Sequence, residues 1–360
     1  MNIAVLGSGN GGCAVAFDCA AHGHQVNLFD FEQFPESIKA IQNNGGIHCE
    51  GVLEGFQSIV SVGHEIEKAL DGADIIYAVG PAYSTRPFAK ACKPYLKPGQ
   101  IVIVNPSSCG GSIEFKNGAG LDLRDEDIVV AETSTLPYAV RLLEPGKTKI
   151  FNKLKDGLFL AAVPAKKTDY VLEQVRDVYP GMSAAKNILQ TSLQNGNPVI
   201  HPAITLMNVA LIERTKGDFD FYHQGVTPAV GKLIEAVDRE RIAIGKKLGV
   251  DVIPDPKLGV IQGYMTEATY DKGFNSAPGF AGVKAQSSLD YRYFNEDVGY
   301  GLVFLRKLGE QVGVATPVIS AVITLVSLLM NRDYLGEAKR TMDTLGLSKH
   351  TAKELEKLLA

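Results

Sequence analysis

Short apolar runs alternate with stretches of helical periodicity over the first half of the chain. Apolar runs that predict β-strands cover residues 1–6, 25–30, 74–79, 101–105, 128–132, 147–151 and 158–163. Helical periodicity covers residues 13–21, 35–42, 65–70, 86–95 and 169–178. Continuous apolar strands separated by helices are typical of a parallel sheet covered on both faces. The pattern predicts an α/β fold whose N-terminal domain, residues 1–188, is doubly wound and carries a small hairpin inserted at 45–62.

The pattern changes near residue 189, where helical periodicity replaces the alternation. Predicted helices cover residues 202–213, 229–248, 298–312, 317–330, 334–345 and 349–359. They predict an all-α C-terminal domain over residues 189–360. The most apolar stretch, residues 315–330, carries hydroxyl and proline side chains and is too short to span a bilayer. We expect it to form a buried helix, and we expect no membrane partner.

A glycine-rich turn joins the first predicted strand to the first predicted helix. It has the G-x-G-x-x-G spacing that binds a dinucleotide pyrophosphate at a helix N-terminus. Asp30 ends the second strand, where a carboxylate meets the ribose 2′-hydroxyl of NAD and repels the 2′-phosphate of NADP. The combination predicts a Rossmann-type, NAD-binding domain. The residues predicted to contact NAD are Gly7, Ser8, Gly9, Asn10, Gly11, Gly12, Asp30, Val79, Gly80 and Pro81.

The composition of the chain argues against some classes of binding partner. The 360 residues are 45% hydrophobic and 21% charged with a net charge of −4, and no basic run interleaves with aromatic residues, so no nucleic-acid partner is expected. The five cysteines form no C-x-x-C pair, which predicts neither a disulfide framework nor a metal site and favours a reducing cytoplasm. The apolar N-terminus lacks a basic region, so we expect no signal peptide. The expected partners are small molecules.

Two residues of the helical domain are candidates for proton exchange with a substrate. His201 precedes Pro202, a natural first helical residue, which places the histidine at or beside a helix N-cap. The helix dipole there disfavours an imidazolium, so a neighbouring carboxylate would be needed to bring its pKa back towards neutrality. Asp297 precedes an apolar helix, where aspartate is a favoured N-cap. Spacing alone is equally compatible with purely structural roles for both residues and does not show that they touch.

Cationic side chains would be needed if the substrate carries carboxylates. The candidates are Arg86, Arg141, Arg214, Lys284 and Arg292, although most lysines and arginines of any chain are solvated. His223 lies among aromatic residues and is expected to be packed or exposed rather than to bind a metal. No metal-ligand spacing, nucleophile elbow or P-loop occurs in the sequence.

Motifs that run in order along nearly the whole chain resemble the octopine/nopaline (opine) dehydrogenases. Besides the glycine turn they are ETSTLPY at 132–138, N-x-N-x3-HP-x5-N at 195–208, FY-x2-G-x2-P at 221–228, D-x-ER at 238–241 and RY-x2-EDV-x-YGL at 292–302. The later motifs are more specific than the glycine turn. Within the family, the sequence is most similar to bacterial enzymes of the N-(1-D-carboxyethyl)-L-norvaline type.

The resemblance implies a reaction and a set of roles. An amino acid would condense with a 2-oxo acid such as pyruvate, and NADH would reduce the resulting imine to an N-(1-carboxyalkyl) amino acid. His201 would be the catalytic acid and base, and Asp297 its partner, in a cleft between the domains that excludes water. Arg141 and Arg292 are favoured as carboxylate clamps, with Asn208 and Tyr222 as polar substrate contacts. The similarity to norvaline-type enzymes also favours an apolar amino acid, and the family resemblance favours a homodimer.

Two alternatives stand beside this interpretation. Reductases of the ketopantoate or glycerol-3-phosphate type also join a glycine-loop domain to helices, but they would be expected to use a lysine at the hydride-transfer site. A non-catalytic NAD(H) sensor would carry a DNA or protein docking surface in place of a proton-transfer site. The absence of a basic face counts against DNA.

Overall fold

The computed structural model describes all 360 residues, which form two compact units. The first unit is Met1–Thr191 with Leu359–Ala360, and the second is Ser192–Leu358. The strands are β1 (Asn2–Leu6), β2 (Gln25–Phe29), β3 (Gly46–Gly51), β4 (Gly55–Ser58), β5 (Ser61–Gly63), β6 (Ile75–Ala78), β7 (Ile101–Val104), β8 (Val129–Thr133), β9 (Tyr138–Glu144), β10 (Lys147–Lys153), β11 (Leu158–Val163) and β12 (Met182–Ala184).

The α-helices alternate with these strands and then continue alone. They are α1 (Asn10–Ala21), α2 (Pro35–Asn44), α3 (Ile66–Leu70), α4 (Thr85–Cys92), α5 (Gly111–Ala119), α6 (Thr168–Val175), α7 (Ile188–Gln194), α8 (Asn197–Met207), α9 (Val209–Thr215), α10 (Pro228–Leu248), α11 (Asp255–Ile261), α12 (Lys272–Asn275), α13 (Arg292–Asn295), α14 (Val303–Val312), α15 (Pro317–Met330) and α16 (Ala352–Leu359). A π-helix, Asp297–Leu302, separates α13 from α14.

The first unit is built on an eight-stranded sheet in the order β12-β11-β8-β7-β6-β1-β2-β5. The strands from β8 to β5 are parallel, and β11 is antiparallel to β8. Leu6, Ile76, Val102 and Val130 lie in one buried cluster, as expected for strands covered on both faces. This arrangement confirms the predicted doubly wound domain, and the helical second half confirms the predicted α/β class.

A separate four-stranded sheet, in the order β4-β3-β10-β9, lies against α1. The hairpin expected at 45–62 is formed by β3 and β4, but it pairs with β10 and not with the main sheet. Tyr138 donates a hydrogen bond to the buried carboxylate of Asp18 at 2.6 Å, and Lys153 forms an ion pair with the same oxygen. These polar contacts fix the small sheet on the helix that follows the glycine turn.

The second unit differs from the predicted helices in several places. The helix predicted at 202–213 is two helices, α8 and α9, and the one predicted at 298–312 begins with the π-helix. Residues 334–345 form turns and no helix, because Asp333 accepts a hydrogen bond from the backbone of Gly336 and the hydroxyls of Thr341 and Thr344 bond to nearby backbone groups. Helix α15 is buried on one face only, and Leu328 on its other face is 76% exposed. None of the helices is both long enough and apolar enough to cross a membrane.

Candidate active site

His201 lies inside α8 and not at its N-cap, so that part of the prediction is wrong. The helix begins at Asn197, with Pro198 in its first turn, and Pro202 lies within it. Both prolines are compatible with a first helical turn, and the structure uses the earlier one. The imidazole therefore lies beyond the first turn of the helix, where the dipole argument made for an N-cap does not apply.

Asp297 is the first residue of the π-helix and not an N-cap of α14, which corrects the second prediction. The backbone N–H groups of Tyr300 and Gly301 both point to the carbonyl of Glu296, at 2.8 and 3.2 Å. Gly301 packs against α8 so closely that a Cβ there would lie 2.4 Å from Cγ of Pro198. The π-helix and this glycine bring Asp297 beside α8. Single π-helical turns are frequent at functional sites.

The structure joins His201 and Asp297 across 96 residues of sequence. Nδ1 of His201 is 2.8 Å from Oδ2 of Asp297, and both residues are buried, at 5% and 3% exposure. A carboxylate accepts hydrogen bonds, so Nδ1 carries the proton and Nε2 of the neutral ring is an acceptor. Burial lowers the pKa of His201 below its ordinary value, an effect that Asp297 opposes in part. Burial therefore favours the neutral form of the imidazole.

Aromatic rings hold the imidazole in place. Tyr293 stacks on it with ring centroids 4.0 Å apart, and Phe221 packs at 6.1 Å. The hydroxyl of Tyr222 lies 3.0 Å from Nε2. The predicted substrate contact Tyr222 therefore meets the reactive nitrogen of His201 directly.

Arg292 lies near His201 and Asp297, and its positively charged side chain is partly exposed to solvent. Its Nε donates to Oε2 of the buried Glu296 at 2.9 Å, and its side chain is 40% exposed. The guanidinium is close enough to His201 to oppose its protonation. A guanidinium is suited to a bidentate hydrogen bond with a carboxylate.

The other predicted clamps and Asn208 have partners of their own. Arg141 lies in the first unit, exposed on β9, and donates to the carbonyl of Val140. Asn208 uses Nδ2 to bond the carbonyls of Ile204 and Gly225, which bridges the end of α8 to a neighbouring turn. The remaining candidates are engaged elsewhere: Arg86 with Glu114, Lys284 with Asp218 and Asp220, Arg214 with the carbonyl of Ala210, and His223 with the carbonyl of Ala277.

The glycine turn fits a dinucleotide. Gly7 has φ +109°, and a Cβ there would lie 2.2 Å from the carbonyl oxygen of Val79. A Cβ on Gly12 would lie 1.8 Å from the carbonyl oxygen of Gly7, so only glycine permits this packing of strand and helix. At Gly9 a Cβ would meet no atom within 4 Å. Open space in front of the unpaired N–H groups of the first turn of α1 is where a pyrophosphate binds.

Asp30 stabilises the glycine turn through hydrogen bonds to Ser8. Its Oδ2 accepts hydrogen bonds from N and Oγ of Ser8, at 2.7 and 2.8 Å, and its Oδ1 accepts one from N of Phe31. Only 6% of the residue is exposed. The carboxylate therefore fixes the conformation of Ser8, a role that the sequence analysis did not foresee, and its contact with a ribose stays a prediction.

The other predicted cofactor residues lie around the same turn. Val79, Gly80 and Pro81 follow β6, and Cγ1 of Val79 lies 3.0 Å from the position of a Cβ on Gly11. The oxygen of Asn10 accepts a hydrogen bond from N of Leu142 and thereby joins the turn to β9. Leu136, which sequence reasoning missed, lies 3.1 Å from the same Gly11 position. Leu136 belongs to the motif at 132–138, which is the sequence signal that would have identified it.

A second residue that the sequence analysis missed is Asp255. Its carboxylate packs against Gly196, at the start of α8, so closely that a Cβ on the glycine would lie 1.9 Å from Oδ1. Its backbone N–H bonds Asp238, which also pairs with the buried Arg241. Burial and the neighbouring Asp238 raise the pKa of Asp255 to about 7.

This raised pKa predicts a pH-dependent stability. The bound proton stabilises the folded state fully below the ordinary pKa of about 4, and this contribution is lost as the pH rises through about 7. We expect Asp255→Asn, which stays neutral, to increase the free energy of unfolding at pH 8 by about 1 to 3 kcal/mol and to change it little at pH 4. Urea denaturation at both pH values measures this. The exposed Asp343→Asn is the control, and an equal gain for Asp255→Asn at both pH values would contradict the assignment.

Comparisons with known proteins agree with this geometry. A family model described as NAD/NADP octopine/nopaline dehydrogenase, alpha-helical domain, matches residues 184–330, and one described as NAD-dependent glycerol-3-phosphate dehydrogenase N-terminus matches residues 2–107. An opine dehydrogenase of Arthrobacter sp. (strain 1C) is 38% identical over 356 residues, which cover 97% of this chain and 96% of the relative. A tauropine dehydrogenase of Arabella iricolor is 29% identical over 76% of both chains.

Solved structures show the same fold. A structure of octopine dehydrogenase with NADH and L-arginine superposes with a TM-score of 0.78 and 18% identity, covering 99% of this chain and 97% of that one. The predicted family, enzyme class and cofactor are confirmed, and the sensor and the other reductases are set aside. The chain belongs to the octopine/nopaline (opine) dehydrogenase family, NAD-dependent oxidoreductases that act on the CH–NH group of a secondary amine.

Proposed function

We propose that this enzyme condenses an apolar amino acid with a 2-oxo acid such as pyruvate and reduces the product to an N-(1-carboxyalkyl) amino acid, with the reverse oxidation as its second direction. The observation that carries the proposal is the buried pair of His201 and Asp297, with Arg292 beside it. Such a pair moves a proton to and from a substrate oxygen. Arg292 is suited to hold a carboxylate next to that oxygen.

The first unit is proposed to hold the cofactor. The N–H groups at the start of α1 and the open face of Gly9 would receive the pyrophosphate, with Val79, Gly80 and Pro81 alongside. Asp30 would favour NADH over NADPH through its charge. When bound, NADH supplies the hydride that reduces the C=N bond.

The second unit is proposed to transfer the proton and to bind the carboxylate of the oxo acid. His201 as an imidazolium would donate the proton that leaves with water, and as a neutral base it would take a proton back in the oxidative direction. Asp297 holds the tautomer and stabilises the imidazolium. A bound carboxylate on Arg292 would add negative charge near the ring and favour its protonated form. Arg141, Asn208 and Tyr222 stay proposed substrate contacts.

An apolar amino acid is favoured by the surroundings of His201. Phe221, Tyr222 and Tyr293 pack around the imidazole. The two carboxylates nearest to it, Asp297 and Glu296, are already bonded to His201 and Arg292. The side chain of a basic amino acid substrate would need an unpaired carboxylate near His201 to bind it.

The test is NADH consumption with pyruvate and a panel of apolar, basic and small amino acids, beside a control without amine. We expect oxidation that requires an amine and is fastest with apolar partners. Oxidation by pyruvate alone would indicate a 2-hydroxy acid dehydrogenase, and fastest turnover with arginine or lysine would overturn the apolar assignment.

On the family resemblance alone we also propose that the enzyme is a homodimer and acts in the cytoplasm. Sedimentation tests the homodimer, because the mass of one chain is 38.7 kDa.

Asp30→Ala is expected to weaken NADH binding by about tenfold or more and to reduce the preference over NADPH. The substitution removes two hydrogen bonds to Ser8 and the negative charge together. Fluorescence titration with both cofactors measures each affinity. Ser8→Ala is the matched variant, since it loses the hydroxyl bond and keeps the charge, so NADH binding should weaken without a change in the cofactor ratio. An unchanged ratio in Asp30→Ala would mean that Asp30 does not meet the ribose.

A further inference from the structure

Tyr222 occupies the one nitrogen of His201 that is free to exchange a proton. Nδ1 is bonded to Asp297, and Oη of Tyr222 lies 3.0 Å from Nε2. With Nδ1 protonated, Nε2 of the neutral ring is an acceptor, so the phenol donates to it. Any proton that leaves or enters His201 through Nε2 meets Oη of Tyr222 first.

Neither ring is free to move out of this contact. Tyr293 covers one face of the imidazole at 4.0 Å. The ring of Tyr222 stacks on Phe280, with centroids 4.1 Å apart, and meets Phe221 edge to face at 5.1 Å. Only 7% of Tyr222 and 5% of His201 is exposed. Direct contact between Nε2 and a substrate would require breaking these aromatic contacts.

We propose that Tyr222 is a catalytic residue that relays the proton between His201 and the substrate oxygen. The inference rests on the proposed function, because it assigns a path to the proton of that reaction. The phenol is suited to the task since a hydroxyl donates and accepts at once. Burial raises the pKa of Tyr222 well above its ordinary value, so the phenol is protonated before and after each transfer.

The relay balances in the direction of opine formation. The amine and the 2-oxo acid first give a carbinolamine. Its C–O bond breaks with the electron pair on oxygen, while the nitrogen lone pair forms the C=N bond. His201 begins this step as the imidazolium, Nε2 having received through Tyr222 the proton that the substrate ammonium lost on becoming the free amine. The departing oxygen takes the proton of Tyr222 and leaves as water, and Oη takes the proton of Nε2 in the same step. Tyr222 ends as it began, His201 ends neutral, and no phenolate forms.

Tyr222→Phe tests the relay because it keeps the ring and its stack and removes only Oη. We expect kcat to fall at least about 100-fold, with the KM values for pyruvate and for the best amino acid and the affinity for NADH within about threefold of wild type. Tyr264→Phe is the matched control. The ring of Tyr264 stacks on Phe280, the ring on which Tyr222 also stacks, with centroids 5.4 Å apart, and kcat of this variant should be unchanged. Equal thermal unfolding midpoints would show that both variants fold.

A double variant separates a relay from two independent effects. If His201 and Tyr222 act in series, Tyr222→Phe in a His201→Ala background should slow turnover by no more than about threefold further. Multiplying effects, a kcat of Tyr222→Phe within about fivefold of wild type, or a change confined to KM would overturn the relay. In those cases the wild-type enzyme still oxidises NADH with pyruvate and an amine. If wild type shows no amine-dependent oxidation at all, the proposed function fails and the relay fails with it.

Discussion

His201→Ala is expected to lower kcat by at least about 100-fold, the usual contribution of a positioned acid or base. The substitution removes the group that donates the proton and leaves the buried Asp297 without its partner. NADH affinity should stay unchanged, because every residue proposed to hold the cofactor lies in the first unit. Steady-state NADH oxidation at saturating pyruvate and amino acid gives kcat, and fluorescence titration gives the affinity.

His350→Ala serves as the control for this variant. Its imidazole bonds only the nearby carbonyl of Leu347 in the same unit, so its removal should leave kcat unchanged. Turnover of His201→Ala close to that of wild type would remove the histidine from the mechanism. A large loss of NADH affinity in His201→Ala would instead mean that the substitution disturbs more than the proton transfer.

Gly301→Ala is expected to lower kcat by about tenfold to a hundredfold without touching any reacting group. A Cβ at this position would lie 2.4 Å from Cγ and 2.7 Å from Cβ of Pro198, so the π-helix and α8 must move apart. This movement lengthens the hydrogen bond between His201 and Asp297. Overpacking of this kind also lowers the free energy of unfolding by about 1 to 3 kcal/mol, which urea denaturation measures.

Gly63→Ala provides the comparison for this effect. A Cβ on Gly63 would meet nothing closer than Nε2 of Gln42 at 4.0 Å, and its φ is not in the left-handed region, so activity and stability should both be kept. If Gly301→Ala has the kcat of wild type, the close approach of the two helices does not position Asp297.

Local patterns were sufficient for the elements that use local contacts. The glycine turn lies between β1 and α1, where Gly12 packs against Gly7 of the same βαβ unit and Gly7 packs against Val79, directly after the neighbouring strand β6. Helix α15 has the predicted bounds because a proline begins it and Asn331, in the left-handed region, ends it. The sequence therefore predicted the Rossmann-type domain and its cofactor.

Longer-range packing decided what the patterns left ambiguous. Pro198 and Pro202 each fit a first helical turn, and the contact of Pro198 with Gly301 belongs to a helix that begins at Asn197. Asp297 has the sequence of an N-cap, but a π-helix takes its place. The second sheet pairs β3 with β10, which are far apart in sequence, so no local periodicity indicated it.

By itself, the sequence determined the fold class, the NAD cofactor and, through its motifs, the family and the identity of His201 and Asp297 as candidates. Only the tertiary structure decided that these two side chains meet at 2.8 Å, that Tyr222 lies on the other nitrogen, and that Arg292 is near them. The physical reason is that hydrogen bonds of this strength need sub-ångström placement of groups that are distant in sequence. Packing of α8 against the π-helix provides that placement, and a periodicity of hydrophobic residues does not encode it.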